Sequence, residues 1–96
     1  MIKVIGLIQL NDLHAFEEYR SQVGRTVEQY GGTVAYRGKV NPPLWNELAC
    51  APFSAFVELE FPDLARASAW SNSDEYQSLV PVRTKAMKLT LFTVSE

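Results

Sequence analysis

The sequence has few of the residues from which reactive sites are usually built. It contains one cysteine, Cys50, and one histidine, His14. A lone cysteine excludes an internal disulfide and predicts a reducing compartment, the cytoplasm. One cysteine and one histidine cannot supply the usual nitrogen and sulfur ligands of a transition metal. His14 falls on the polar side of a helical pattern with no partner to make it a general base, and reads as solvated surface. No Ser-His-Asp or Cys-His arrangement can be drawn. Charge of one sign is also scarce. Nine Lys and Arg stand against eleven Asp and Glu, a net charge of −2, and the basic residues are scattered. That argues against a nucleic-acid partner, which needs a basic face. No apolar run approaches the roughly 20 residues that span a bilayer, so no membrane partner is expected. The apolar start, Ile2 to Leu10, is too short for a signal peptide and lacks a basic flank and a cleavage site. No glycine-rich loop opens a helix. Repeats, low-complexity segments and linkers are absent, so residues 1–96 read as one domain. No metal or cofactor is implied.

What is present is a regular alternation of strands and helices. Ile2 to Leu10 is apolar on both parities, the pattern of a central strand covered on both faces. Asn11 or Asp12 caps a helix that runs to Gln29 or Tyr30. Leu13, Phe16, Tyr19, Val23, Val27 and Tyr30 form its apolar stripe, an arc of roughly 120° at ~100° per residue. Arg20 sits at the edge of this stripe. Either its stem covers the core rim and its head reaches water, or it points into a cleft and receives an anion. Gly31 and Gly32 end the helix, because glycine alone takes a left-handed backbone without a Cβ penalty.

A strand from Thr33 to Val40 follows, with Val34, Tyr36 and Val40 on one parity and Arg37 and Lys39 on the other. Asn41-Pro42-Pro43 breaks it. Leu44 to Pro52 is an irregular, apolar connection that covers one end of the domain or lies against a partner chain. Phe53 to Phe61 is the third strand, with Phe56, Glu58 and Glu60 on one face. Asp63 caps a helix from Leu64 to about Trp70, and Ser73 caps a short one holding Tyr76 and Leu79. A further turn through Arg83 leads to the last strand, Lys88 to Ser95.

The order strand, helix, strand, strand, helix, strand predicts an α+β, ferredoxin-like βαββαβ two-layer sandwich with an antiparallel sheet. Right-handed crossovers place the first and third strands at the centre and the helices on one face. The other face would expose Ile5, Leu7, Phe56, Phe92 and Val94. A second copy packing sheet to sheet, as a dimeric α+β barrel, covers it. Parity places Glu58 and Glu60 on that face, with Arg37 and Lys39 on the neighbouring strand. They are either cross-strand ion pairs or the polar lining of a pocket.

Several runs together resemble the domain-of-unknown-function family 1330 of the dimeric α+β barrel superfamily. They are Glu28-Gln29-Tyr30-Gly31-Gly32, Arg37-Gly38, Val57-Glu58-Leu59-Glu60-Phe61-Pro62, Ala69 to Gln77, and Arg83. The resemblance implies a ferredoxin-like protomer and a homodimer, and no established reaction. Two departures stand out. The loop Pro42 to Glu47 is longer and more apolar than the family's acidic-glycine loop, and position 74, commonly proline, is Asp74. By position in the family pattern, Glu60, Tyr76 and Arg83 are the candidate catalytic residues. Arg20, Arg37, Glu58 and Glu60 are the candidate ligand-binding residues. The expected partners are a second copy and a small organic molecule held between sheet and helices. Superfamily analogy implies at most a cofactor-free oxygenation or isomerisation. The alternative is a non-catalytic dimeric module whose polar residues fix the pairing of subunits.

Overall fold

A computed structural model describes all residues, Met1–Glu96. The elements are β1 (Ile2–Leu10), α1 (Leu13–Gln29), β2 (Thr33–Lys39), β3 (Ala55–Phe61), α2 (Leu64–Ser71), α3 (Asp74–Gln77), α4 (Val80–Ala86) and β4 (Met87–Val94). The strands form one antiparallel sheet in the order β2-β3-β1-β4. The chain is therefore α+β with a ferredoxin-like order of elements, and β1 and β3 are central, as the composition of β1 and right-handed crossovers predict.

The helix starts are set by short side chains. Asp12 Oδ1 accepts from the Ala15 N–H at 3.0 Å, Asp63 from the Arg66 N–H at 2.8 Å, and Ser73 Oγ from the Tyr76 N–H at 3.1 Å. Each satisfies a donor that the helix itself leaves unpaired. At the end of α1, the Gly31 N–H donates to Glu28 O at 3.0 Å and the Gly32 N–H to Val27 O at 3.1 Å. This is a Schellman motif, and Gly31 takes the left-handed backbone it requires, with φ 80°. Gly32 is needed for a different reason. A Cβ there would lie 2.6 Å from Phe61 Cε1 and 2.9 Å from the Glu60 carbonyl oxygen. The second glycine therefore provides room for α1 to close onto β3.

The core lies between the sheet and the helices. Val4, Ile8, Leu59 and Phe61 supply its sheet side, and Ala15, Tyr19, Val23 and Val27 its α1 side. Trp70 and Tyr76 fill the end beside α2 and α3, with ring centroids 4.5 Å apart. Leu13, expected in the buried stripe, is exposed at the first helical position, and Ala15 carries the stripe there instead.

One expectation about β2 is overturned. Val34 pairs with Leu59 and Tyr36 with Glu58, so the register shifts across Ala35. A bulge of this kind inserts one unpaired residue and reverses the parity of everything after it. Tyr36 therefore faces the open side of the sheet, and Arg37, opposite Val57, faces the helices. Arg37 and Lys39 are not the partners of Glu58 and Glu60. That role falls to Lys3, whose Nζ is 3.1 Å from Glu58 Oε2 and 4.0 Å from Glu60 Oε2. The connection from β2 to β3 is an exposed arm that does not cover the chain's own core, with Leu44, Trp45 and Leu48 all more than 80% accessible.

Candidate functional site

A cavity of about 270 Å3 lies between α1 and the inner face of the sheet. Its floor includes Ile8, Val57, Leu59, Leu89 and Leu91, and Phe16, Tyr19 and Val23 of α1 form one wall. Trp70 and Met87 also contribute. Part of the floor depends on Gly6. A Cβ there would lie 2.5 Å from Val57 Cγ1 and 3.2 Å from Leu91 Cδ2, so any side chain would push the floor upward. Thirteen of the sixteen lining residues are hydrophobic, and the exceptions are Arg20, Arg37 and Gly38. The lining holds no carboxylate, histidine, lysine or cysteine.

The two arginines arrive from different elements. Arg20 leaves α1 at the edge of the buried stripe and lies over the Phe16 ring, 5.9 Å from its centroid. Arg37 reaches the cavity because of the β2 bulge. Neither has a carboxylate partner, since both ion pairs of the chain belong to Lys3. Both arginines are exposed, and Arg20's placement fits both of its readings: its stem covers the core rim at Phe16, and its head lies at the cavity.

A second polar group adjoins the α1 wall, of which Tyr19 is part. Arg83 Nη1 donates to Tyr76 Oη at 2.9 Å, and Tyr76 Oη lies 2.9 Å from Tyr19 Oη. The Arg83 guanidinium also sits 5.6 Å from the Tyr76 ring centroid. Beside them, Trp70 Nε1–H donates to Thr26 Oγ1 at 3.0 Å, and Thr26 Oγ1–H donates to Val23 O at 2.7 Å. Tyr19 is 7% exposed and Tyr76 2%. Burial, and then the neighbouring Tyr76 hydroxyl, push the Tyr19 hydroxyl far above its ordinary value of about 10. Tyr19 is thus a neutral phenol at physiological pH.

This shift predicts an alkaline loss of stability. The neutral form is favoured in the folded chain, whereas an unfolded Tyr19 ionises above roughly pH 10. The full contribution is present below that pH and falls as pH rises above it, by about 1.4 kcal/mol per pH unit from this one group. Urea unfolding between pH 8 and 11 should show a steeper alkaline decline for the natural chain than for Tyr19→Phe. Parallel declines would refute the assignment.

Of the candidate catalytic residues, the structure joins Tyr76 and Arg83. It leaves Glu60 on the opposite face of the sheet, where Glu60 and Glu58 flank Lys3. Glu58 and Glu60 therefore do not share a site with Arg20 and Arg37, which the structure places together on the cavity. In sequence Tyr19 reads only as part of the apolar stripe. The available signal was a tyrosine where phenylalanine would fill the same space, because a buried hydroxyl must find a partner.

No functionally curated protein matches the chain. A protein of unknown function from Rhodopseudomonas palustris is 19% identical to it, with TM-score 0.77 over 99% of this chain and 81% of that one. SnoaB, a cofactor-independent oxygenase from Streptomyces nogalater, is 5% identical, with TM-score 0.68 over 99% of this chain and 91% of that one. A dimeric protein of unknown function and ferredoxin-like fold from Bacteroides fragilis is 11% identical, with TM-score 0.59 over 99% and 95%. At these identities the likeness shows the fold. In sequence, the family model described as "Domain of unknown function (DUF1330)" matches residues 4–96. The chain belongs to the DUF1330 family.

Proposed function

We propose that this chain is the subunit of a homodimer and that its cavity binds a small amphipathic organic acid, an apolar ring or chain carrying one carboxylate. The observation that carries this reading is the pairing of an apolar cavity with two arginines that lack carboxylate partners. Apolar walls reward burial of a hydrocarbon body at about 25 cal/mol per Å2. Guanidinium groups at the edge are suited to a planar carboxylate. The lining also limits the chemistry. It offers two cations and one hydroxyl-bearing residue, Tyr19, and no side chain that accepts a proton near neutral pH. Such a set holds an organic anion and stabilises negative charge. A reaction in this cavity would therefore take its base from substrate or solvent. Cofactor-free oxygenation, the activity for which SnoaB is described, is compatible with that set only if the substrate reaches its anionic form without a protein base.

The dimer is supported by the open face of the sheet. There Phe92 is 45% exposed, Val94 44% and Tyr36 61%, beside half-buried Ile5, Leu7 and Phe56. The Bacteroides fragilis neighbour of like fold is described as dimeric. The Lys3–Glu58–Glu60 group in the middle of this face also suits a module whose polar residues only fix subunit pairing. Both readings predict a dimer, and ligand binding separates them.

The test is titration with 2-naphthoate, followed by quenching of Trp70 fluorescence in a Trp45→Phe background. Saturable binding is expected. Arg20→Met or Arg37→Met should weaken it about tenfold each, the size of one charge-assisted hydrogen bond, and should leave binding of neutral 2-naphthalenemethanol unchanged. Methionine keeps the apolar stem of each side chain, so folding is spared. Absence of saturable binding would favour the non-binding module, and equal binding to all three proteins would overturn the role of the two arginines in holding a carboxylate.

A further inference from the structure

Arg83, Tyr76 and Tyr19 form a chain of hydrogen bonds that runs from α4 to the cavity wall, and the number of protons in it is fixed. A guanidinium only donates, and each phenol carries one proton. Arg83 donates to Tyr76 Oη. One of the two phenolic protons occupies the Tyr19–Tyr76 hydrogen bond. The other has no acceptor within the chain.

Two arrangements exist. If Tyr19 donates to Tyr76, the Tyr76 oxygen accepts twice and its own proton is the spare one. Tyr76 is 2% exposed and does not line the cavity, so that proton would be buried without a partner, at a cost of about 1–3 kcal/mol. If Tyr76 donates to Tyr19, the spare proton belongs to Tyr19, the member of the chain that lines the cavity. Arg83 favours this second arrangement. Its donation draws electron density from the Tyr76 oxygen, strengthens Tyr76 as a donor, and in turn strengthens Tyr19.

We propose that Tyr19 donates a hydrogen bond to the ligand held in this cavity, and that Arg83, acting through Tyr76, is the positioning residue that sets the direction of that donor. The inference rests on the binding role argued above and narrows its ligand class. The acid carries an acceptor oxygen, a carbonyl or phenolic oxygen, on its apolar body in addition to its carboxylate. An acyl- or hydroxy-substituted aromatic acid fits this description, and a plain hydrocarbon acid leaves the Tyr19 proton unanswered.

The test uses two probes of like shape, 6-acetyl-2-naphthoate and 6-isopropenyl-2-naphthoate, in which C=O is exchanged for C=CH2. The quantity read is the ratio of their affinities, because partial unfolding lowers both affinities together and leaves the ratio unmoved. The natural chain should prefer the acetyl probe about tenfold. Tyr19→Phe should bring the ratio to about one. Arg83→Met should reduce it several-fold, and Arg83→Lys, which keeps a charged donor, should restore part of it. If the natural chain binds neither probe nor 2-naphthoate, the binding role itself fails. If it binds both probes equally, or if Tyr19→Phe keeps the preference, the Tyr19 proposal fails and the binding role stands. If Arg83→Met keeps the preference that Tyr19→Phe abolishes, Arg83 does not position the donor.

Discussion

Trp70→Ala is expected to cost about 3–5 kcal/mol of stability, the range for removing a large aromatic side chain from a packed core. A domain of this size holds roughly 5–15 kcal/mol in total, so the variant would be near the edge of folding. Three losses combine. Trp70 is 2% exposed and packs on Phe61 and Tyr76, with ring centroids at 5.6 and 4.5 Å. Its indole N–H donates to Thr26 Oγ1, a bond no alanine can make. It also lines the cavity, so its removal merges the void it leaves with existing empty space and gives neighbouring side chains little to collapse onto. Trp70→Phe keeps most of the packing and loses the hydrogen bond, and should cost less than half as much. Trp45→Ala is the control. Trp45 is 82% exposed, and its loss should change stability by no more than about 0.5 kcal/mol. Urea denaturation followed by far-ultraviolet circular dichroism measures all three. A Trp70→Ala cost below about 1 kcal/mol would show that α2 is not anchored through this residue.

How far the sequence discloses this architecture differs from strand to strand. β1 is legible because it is apolar on both parities and β3 because it alternates, and a central strand leaves little freedom in what its neighbours cover. The caps Asp12, Asp63 and Ser73 are legible because the interaction is local, spanning three residues. The parity of β2 is not. A single unpaired residue at Ala35 decides whether Arg37 faces the acids on the open sheet or the cavity under α1, and Ala35 has no composition that marks a bulge. The candidate site therefore divides in a way alternation alone does not predict. Glu58 and Glu60 go to one face with Lys3, and Arg37 goes to the other with Arg20. The Tyr76–Arg83 pair is seven residues apart in sequence, and only the turn between α3 and α4 brings it together. Tyr19 lies 57 residues from Tyr76, a distance at which no local pattern signals contact.

Phe92→Asp is expected to abolish the homodimer proposed above while leaving the cavity intact. Phe92 lies on β4 opposite Ile5, which in turn pairs with Glu58 on β3, so the new carboxylate would stand on the same face as Glu58 and Glu60. In the monomer the change is mild, because Phe92 is already 45% exposed. In a two-fold pairing of these faces the same residue enters the interface twice, once from each subunit. Each copy replaces apolar contact with a carboxylate that must be dehydrated without a cation, at a cost of several kcal/mol. The dimer dissociation constant should rise by at least about a thousandfold, since each 1.4 kcal/mol is a factor of ten. Lys3 is the nearest cation on this face, but it already serves Glu58 and Glu60 and has no further charge to offer a third acid. Sedimentation equilibrium across a wide concentration range tests this, with Glu28→Gln, an exposed change on the far side of α1, as the control. A natural chain that sediments as a monomer would refute the proposed dimer, and a Phe92→Asp protein that sediments as a dimer would place the interface elsewhere. A monomer that still binds 2-naphthoate would show that one face of the sheet joins subunits while the other holds the ligand.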